Sequence, residues 1–343
     1  MSVTAPNVSL VIPEGLVARI RAEAAPSEAL GRLTPAAFSV LVEKGWLRLL
    51  IPRSAGGLEY DLPSLLELQE AASWADGSFG WVLALCGGAG FFAGFVDLEV
   101  AQSLFGRTDV CAAGTGFPAG TASPVAGGFR VSGHWRYASG APQATLYTAN
   151  CRLTSPDGAA GDGIRAVIMT PDQVQLSDGW QSLGLRATAS QDMIVRDAFI
   201  PAERTFTLDK PFPHAQGPLY QYPFLQQAEA VLSVTMLGMA RHFLDLFASR
   251  ANGPYDSVVA GLERVRSEYY AVVRASWASP DDEALLAAVG RAARKAAATA
   301  LGCADTLYPY GGMEMRRMDA EINRVWRDIH TASQHSLLSP HRS

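Results

Sequence analysis

One group able to do acid–base chemistry in this 343-residue chain is a histidine close to its C-terminus. His335 stands in Ser333-Gln334-His335-Ser336. An imidazole exchanges protons near neutral pH, so it can take one from a phenol or an amine, or hydrogen-bond an oxygen beside it. Its bland alternative is to satisfy the last carbonyls of a helix. His330 lies five residues earlier, off that helical face, and makes no i, i+4 metal pair with it. Among the carboxylates, Glu229 stands near the start of a long apolar segment, where a negative charge favours the helix dipole. No side-chain carboxylate follows Asp328. Ser139, Thr188 and Ser190 supply hydroxyls near two aromatics, Trp135 and Tyr137. Taken alone, Ser139-Gly140 reads as a turn and the two aromatics as core.

Hydrophobic residues make up 48% of the chain and charged residues 18%, a globular profile with room for two or three domains. A net charge of -5 advertises neither nucleic acid nor anionic lipid as a partner. Cys86, Cys111, Cys151 and Cys303 have neither metal-ligand spacing nor the density of a disulfide scaffold. With no export signal at the N-terminus, a cytoplasmic location is expected. Gly80 to Val96 carries no charge over seventeen residues; its glycines and the lack of flanking basic residues favour a buried helix over a membrane span. No G-x-G-x-x-G opens a helix after a strand, so no bound nicotinamide is expected.

Three textures divide the chain. Residues 1–108 read as helices, among them one capped by Thr34 with Pro35 at N1, and Leu62 to Ala75. Residues 109–210 alternate in short runs between turn signals, as at 129–132, 146–153, 165–170 and 193–200. Residues 211–343 return to helices at 225–249, 258–277 and 281–307, with a last one from near Asp319 that carries His330 and His335. This α–β–α order predicts an α+β fold: an N-terminal helical domain, a central antiparallel β-domain and a C-terminal helical bundle.

Four motifs in that order resemble the acyl-CoA dehydrogenase superfamily. They are Gly127 to Gly140 (GGFRVSGHWRYASG), Gly184 to Val195 with Phe199-Ile200-Pro201, Tyr310-Gly311-Gly312, and Asn323 to His335 with its Arg324-x-x-Arg327-Asp328 core. The Trp135-x-x-x-Ser139-Gly140 ending is similar to the branch of reduced-flavin-dependent monooxygenases. The resemblance implies a flavin, FMN or FAD, taken up as dissociable reduced flavin from a separate reductase. It implies that Tyr137-Ala138-Ser139 lies along the ring, with Ser139 near N5 as a catalytic residue beside His335. Trp135, Thr188, Ser190, Gly116 and Gly312 join the implied cofactor site. A flavin needs such a flat wall and hydrogen-bond donors where its charge changes.

The departures select among activities. A dehydrogenase of this family needs a carboxylate eight residues after the Asp of R-D; here that position is Ser336. Glu229 could serve from the earlier helix, but aligned on Gly238 it falls one position off, about 100° around the helix. The branch's second histidine, after G-S-x-G-W (Gly77 to Trp81), is replaced at about Ala89, with Phe91 and Phe92 following, which leaves a small apolar wall. No R-x-x-F-G step follows the long helix, which weakens FAD against FMN. The expected activity is a monooxygenase, a hydroxylase or N-oxygenase, acting on a small molecule. A dehydrogenase using Glu229 and a non-catalytic relative are the alternatives. The long helix is apolar on most faces, and family members pair such helices across subunits, so a homodimer or homotetramer is expected.

Overall fold

The structure, a computed structural model, describes residues 11–155, 160–177, 179–250 and 252–339. It begins with α1 (Glu14–Ala22), α2 (Ala24–Leu30), α3 (Pro35–Glu43), α4 (Leu62–Ala75), α5 (Gly77–Val82) and α6 (Leu98–Phe105). The cap of α3 is Thr34, whose hydroxyl accepts from Ala37 N, and the cap of α4 is Asp61, which accepts from Ser64 N. Strands follow: β1 (Ala112–Val125), β2 (Gly128–Ala138), β3 (Leu146–Thr154), β4 (Ala160–Met169), β5 (Gln175–Leu176), β6 (Gln191–Pro201) and β7 (Thr205–Phe206). The chain closes with α7 (Pro218–Gln221), α8 (Phe224–Phe247), α9 (Tyr255–Ala278), α10 (Glu283–Leu307) and α11 (Glu321–Ala332).

The seven strands form one sheet in the order β5-β6-β2-β1-β3-β4-β7. It is mixed rather than antiparallel as expected. β2 folds back on β1 as a hairpin, and the chain then crosses to the other edge of β1, so β3 starts where β1 started and runs parallel to it. Two hydrophobic cores result among the described residues. One belongs to the sheet; the other runs from Ile12 to Leu338 and joins both helical regions, with α4 packed on α8 and α8 on α10 and α11.

That shared core explains two apolar segments. Gly77–Phe95 and Phe224–Phe247 are long and apolar enough to cross a membrane, yet the most apolar window of each is 83% buried within the protein. The faces of α8 that sequence assigned to a partner subunit are covered by α4, α10 and α11 of its own chain. Beyond Val82 the first segment loosens into a π-turn at Leu83–Gly87 and 3₁₀ turns at Ala89–Phe95. Such π-turns often mark functional sites.

Candidate active site

Strand β2 alternates with Val131 and Trp135 inward and Ser132, His134 and Arg136 outward. Continued, that period would bury Tyr137. Its backbone is instead left-handed (φ +70), which turns the ring out to 61% exposure, edge-on to Trp180 at 5.9 Å. Trp135 takes the opposite course. It is fully buried in the sheet core, its indole fills the space over Gly120 and Gly133, and its Nε1 donates to Asn150 O (2.8 Å). The side chain of Trp135 therefore shapes the strand and does not line a cofactor surface, a correction to the sequence expectation. Ala138 is buried as well.

Next along the chain, Ser139 enters a ladder of hydroxyls. Its Oγ accepts from Trp81 Nε1 (3.2 Å) and meets Ser190 Oγ (2.8 Å), and Ser190 Oγ meets Thr188 Oγ1 (2.7 Å). Thr188 donates to Leu185 O (2.8 Å). A hydroxyl has one proton, so Thr188's donation fixes the direction: Ser190 donates to Thr188, and Ser139 donates to Ser190. Ser139 is 3% exposed and its proton points into the protein. Its hydroxyl thus orients the ladder. Backbone ties reinforce the arrangement: Gly140 N donates to Thr188 O (2.7 Å) and Cys86 Sγ to Ser139 O (3.4 Å).

The ladder's far end is held by α11. Arg327 Nη1 donates to Leu183 O (2.9 Å), Gly184 N to Thr331 Oγ1 (2.8 Å), and Leu185 N to Asp328 Oδ1 (2.5 Å). Gly184 lies flat on the helix, where a Cβ would stand 2.1 Å from Arg327 O. Gly184→Ala is therefore expected to push the loop off α11, costing about 1–3 kcal/mol in a urea titration. It should also weaken flavin binding at least tenfold. Unchanged values for both would show that the seat is not needed. Tyr137, Leu185 (φ +50) and Ala189 (φ +44) are three of the five left-handed non-glycine residues among those described. Strain gathered beside one cluster of polar groups is a mark of a functional site.

His335 comes to the same place from the C-terminal side. It lies past the end of α11, in a turn in which His335 N donates to Ala332 O (3.1 Å), so α11 itself does not carry it as expected. Its ring meets Trp81 edge-on, centroids 5.8 Å apart. Nδ1 accepts from Leu337 N (3.2 Å), which puts the proton of a neutral ring on Nε2. In this geometry His335 is a donor. Trp81, which bridges His335 and Ser139, was missed as a site residue although it ends the G-S-x-G-W motif.

The other candidates lie elsewhere. Glu229 is buried in the helical bundle, paired with Arg294 on α10 (3.2 Å) and facing Gly290. Gly116 is exposed on a bulge of β1, residues 116–119, where pairing with β3 lapses and Phe117 is 71% exposed. Gly312, left-handed at φ +66, makes the turn after α10, and the ladder is built without it. On the segment after Trp81 the partly accessible residues are the apolar Leu85, Gly88 and Phe92, with Ala89 next to Gly88 and open space before Gly88.

A helical fold with an inserted mixed sheet, carrying its polar site where β2, α5 and α11 converge, is an acyl-CoA dehydrogenase-like fold. The family model for the acyl-CoA dehydrogenase C-terminal domain matches residues 256–340. The family match is to that C-terminal segment, and the chain spans about half the length of the indole-3-acetate monooxygenases it matches. It is 33% identical over 210 residues to indole-3-acetate monooxygenase of Pseudomonas putida, covering 61% of this chain and 53%, about half, of that relative. It is 25% identical to the flavin-dependent monooxygenase oxygenase subunit HsaA of Mycobacterium tuberculosis, across 96% of this chain and 91% of the relative. The crystal structure of 3-HSA hydroxylase from Rhodococcus sp. RHA1 superposes with a TM-score of 0.86 at 24% identity, over 96% of this chain and 92% of that one.

Proposed function

We propose that the protein is the oxygenase component of a two-component flavin-dependent monooxygenase, served by a separate flavin reductase. One observation carries the reading: an imidazole, His335, stands at the Ser139 end of the hydroxyl ladder through Trp81, while the carboxylate at the other end, Asp328, is taken up by Leu185 N. The relatives' names agree with it. The residues fit a flavin, FMN or FAD. Tyr137 offers an exposed aromatic face, the β1 bulge at Gly116 leaves open space, and the 138–140 backbone is fixed from behind by the ladder. Gly312 remains a candidate contact to a more distant part of the cofactor. Reduced flavin, when bound, supplies two electrons that let O₂ put one oxygen atom into the substrate and release the other as water. On this reading a neutral His335, its proton on Nε2, would hydrogen-bond an oxygen on the reacting side. The apolar Leu85, Gly88 and Phe92 favour an apolar, ring-shaped substrate held by shape rather than by a second imidazole.

Three further points belong to the same reading: a homodimer or homotetramer, as in the resemblance; a cytoplasmic location, which the four free, buried cysteines suit; and the domain limits 1–108, 109–210 and 211–343. The dehydrogenase alternative loses ground because Glu229's carboxylate is committed to Arg294. The test is anaerobic titration with dithionite-reduced FMN and FAD, then mixing with O₂ and aromatic candidates such as indole and phenol derivatives. Saturable binding and an oxygenated product are expected. No binding of either reduced flavin would refute the proposal, and bleaching of oxidised flavin by an acyl-CoA would establish the dehydrogenase instead.

A further inference from the structure

α11 grips the loop at Leu183, Gly184 and Leu185, but only the third of these bonds acts directly on the ladder. The Leu185 peptide is pinned on both sides. Its N–H goes to Asp328, and its carbonyl accepts from Thr188 Oγ1, where the ladder ends, and from Trp180 Nε1 (2.7 Å). Leu185 holds a left-handed backbone while so pinned, a conformation that persists only where its surroundings enforce it. Asp328 is 2% exposed. Its second oxygen, Oδ2, has no hydrogen-bond partner among the described residues and faces Gly77 at the head of α5, where a Cβ would come within 3.0 Å. One side chain thus touches the ladder's loop and the start of the helix that carries Trp81.

We propose, on the flavin-oxygenase reading, that Asp328 is the positioning residue that sets the Thr188–Ser190–Ser139 ladder against the cofactor edge. The charges around it are Asp76 at the α4–α5 junction, Glu28 on α2, and Arg324 and Arg327 on α11 itself. Arg324 lies 4.0 Å from Asp76 and also pairs with Glu321, which in turn meets His242 of α8. Arg327 is engaged by Glu28 (2.5 Å), and the adjoining Arg186 of the loop is exposed. No cation is therefore dedicated to Asp328 among the described residues. Burial first, then Asp76, pushes its carboxyl up from 3.8 to about 8, with Leu185 N and Arg324 pulling back. A carboxyl whose pKa is raised by the folded arrangement holds that arrangement most firmly when protonated. The seating of the loop on α11 is then most stable below about pH 4, loses stability as pH rises toward 8, and levels off above it.

The test is hydrogen exchange of the 183–190 peptide in the full-length protein from pH 6 to 9.5, corrected for intrinsic rates, with Asp328→Asn and Asp328→Ala beside wild type. Wild-type protection should fall by about tenfold per pH unit up to 8 and then flatten. Asp328→Asn keeps an acceptor for Leu185 N and should be pH-independent, with reduced-FMN or reduced-FAD affinity within about threefold of wild type. Asp328→Ala should lose at least tenfold in both loop protection and flavin affinity. The proposal is overturned if the wild-type pH dependence persists in Asp328→Asn, or if Asp328→Ala protects the loop as wild type does. Should Asp328→Ala not fold, the Asp328→Asn profile decides alone. Should wild type bind neither flavin, the exchange data still decide, and only the oxygenase reading falls.

Discussion

His335→Ala is expected to lower oxygenated product by about 10²–10⁴-fold while oxygen consumption with reductase and reduced flavin continues, its electrons diverted to hydrogen peroxide. The reasoning is geometric. Leu337 N–H occupies Nδ1, so the ring presents Nε2–H, and Trp81 holds the ring edge-on from the side of Ser139. Flavin would rest against β2 and the bulge of β1, neither of which His335 belongs to, so cofactor affinity should change by less than about threefold. His335→Asn offers a shorter donor and should fall between wild type and alanine. Product and peroxide measured together decide the matter. If His335→Ala couples oxygen to product as wild type does, the imidazole is only a packing residue of the C-terminal turn.

Local signals made the elements legible, while the site depended on crossings between them. The apolar period and Pro63 gave α4 its observed limits, Leu62–Ala75, and Thr34-Pro35 gave the start of α3. α2 tolerates Pro26 because the proline stands in the helix's first turn, where the absent N–H costs nothing. The parallel β1–β3 pairing could not be seen, since no residue of either strand encodes which edge a returning chain will take. Trp135 and Tyr137 show the limit most plainly. Two residues apart on a strand, they share a face by period, and only the left-handed turn at Tyr137 sends one into the core and the other into the open. The hydroxyls of Ser139, Thr188 and Ser190 were legible as a group, but the indole of Trp81 and the grip of Asp328 on Leu185 span 58 and 143 residues of sequence. Spacing has no reach over such distances.

Glu70→Ala should be the most damaging change away from the site, lowering stability by about 3–5 kcal/mol in a urea titration with unchanged slope. Glu70 sits in the apolar face of α4, 0% exposed, and receives Arg266 of α9 through two bonds, Nε to Oε1 (2.5 Å) and Nη2 to Oε2 (3.0 Å). Tyr270 OH donates to Oε2 (2.6 Å), and Arg241 of α8 stands 4.0 Å from Oε1. Burial pushes the Glu70 carboxyl upward and Arg266 draws it back. Alanine would leave the Arg266 guanidinium, 2% exposed, with Glu263 as its remaining carboxylate, so the cost is that of a buried charge stripped of its main counter-ion. A double change to Glu70→Leu and Arg266→Met should recover most of the loss, because it removes both charges and keeps the volume. Recovery would show that the pair fixes how α4 and α9 register rather than adding net stability. A single Glu70→Ala variant within 1 kcal/mol of wild type would mean that water or a neighbour replaces the carboxylate. α4 leads through Asp76 directly into α5, so any shift of its register should also displace Trp81 from Ser139 and appear as weaker flavin binding.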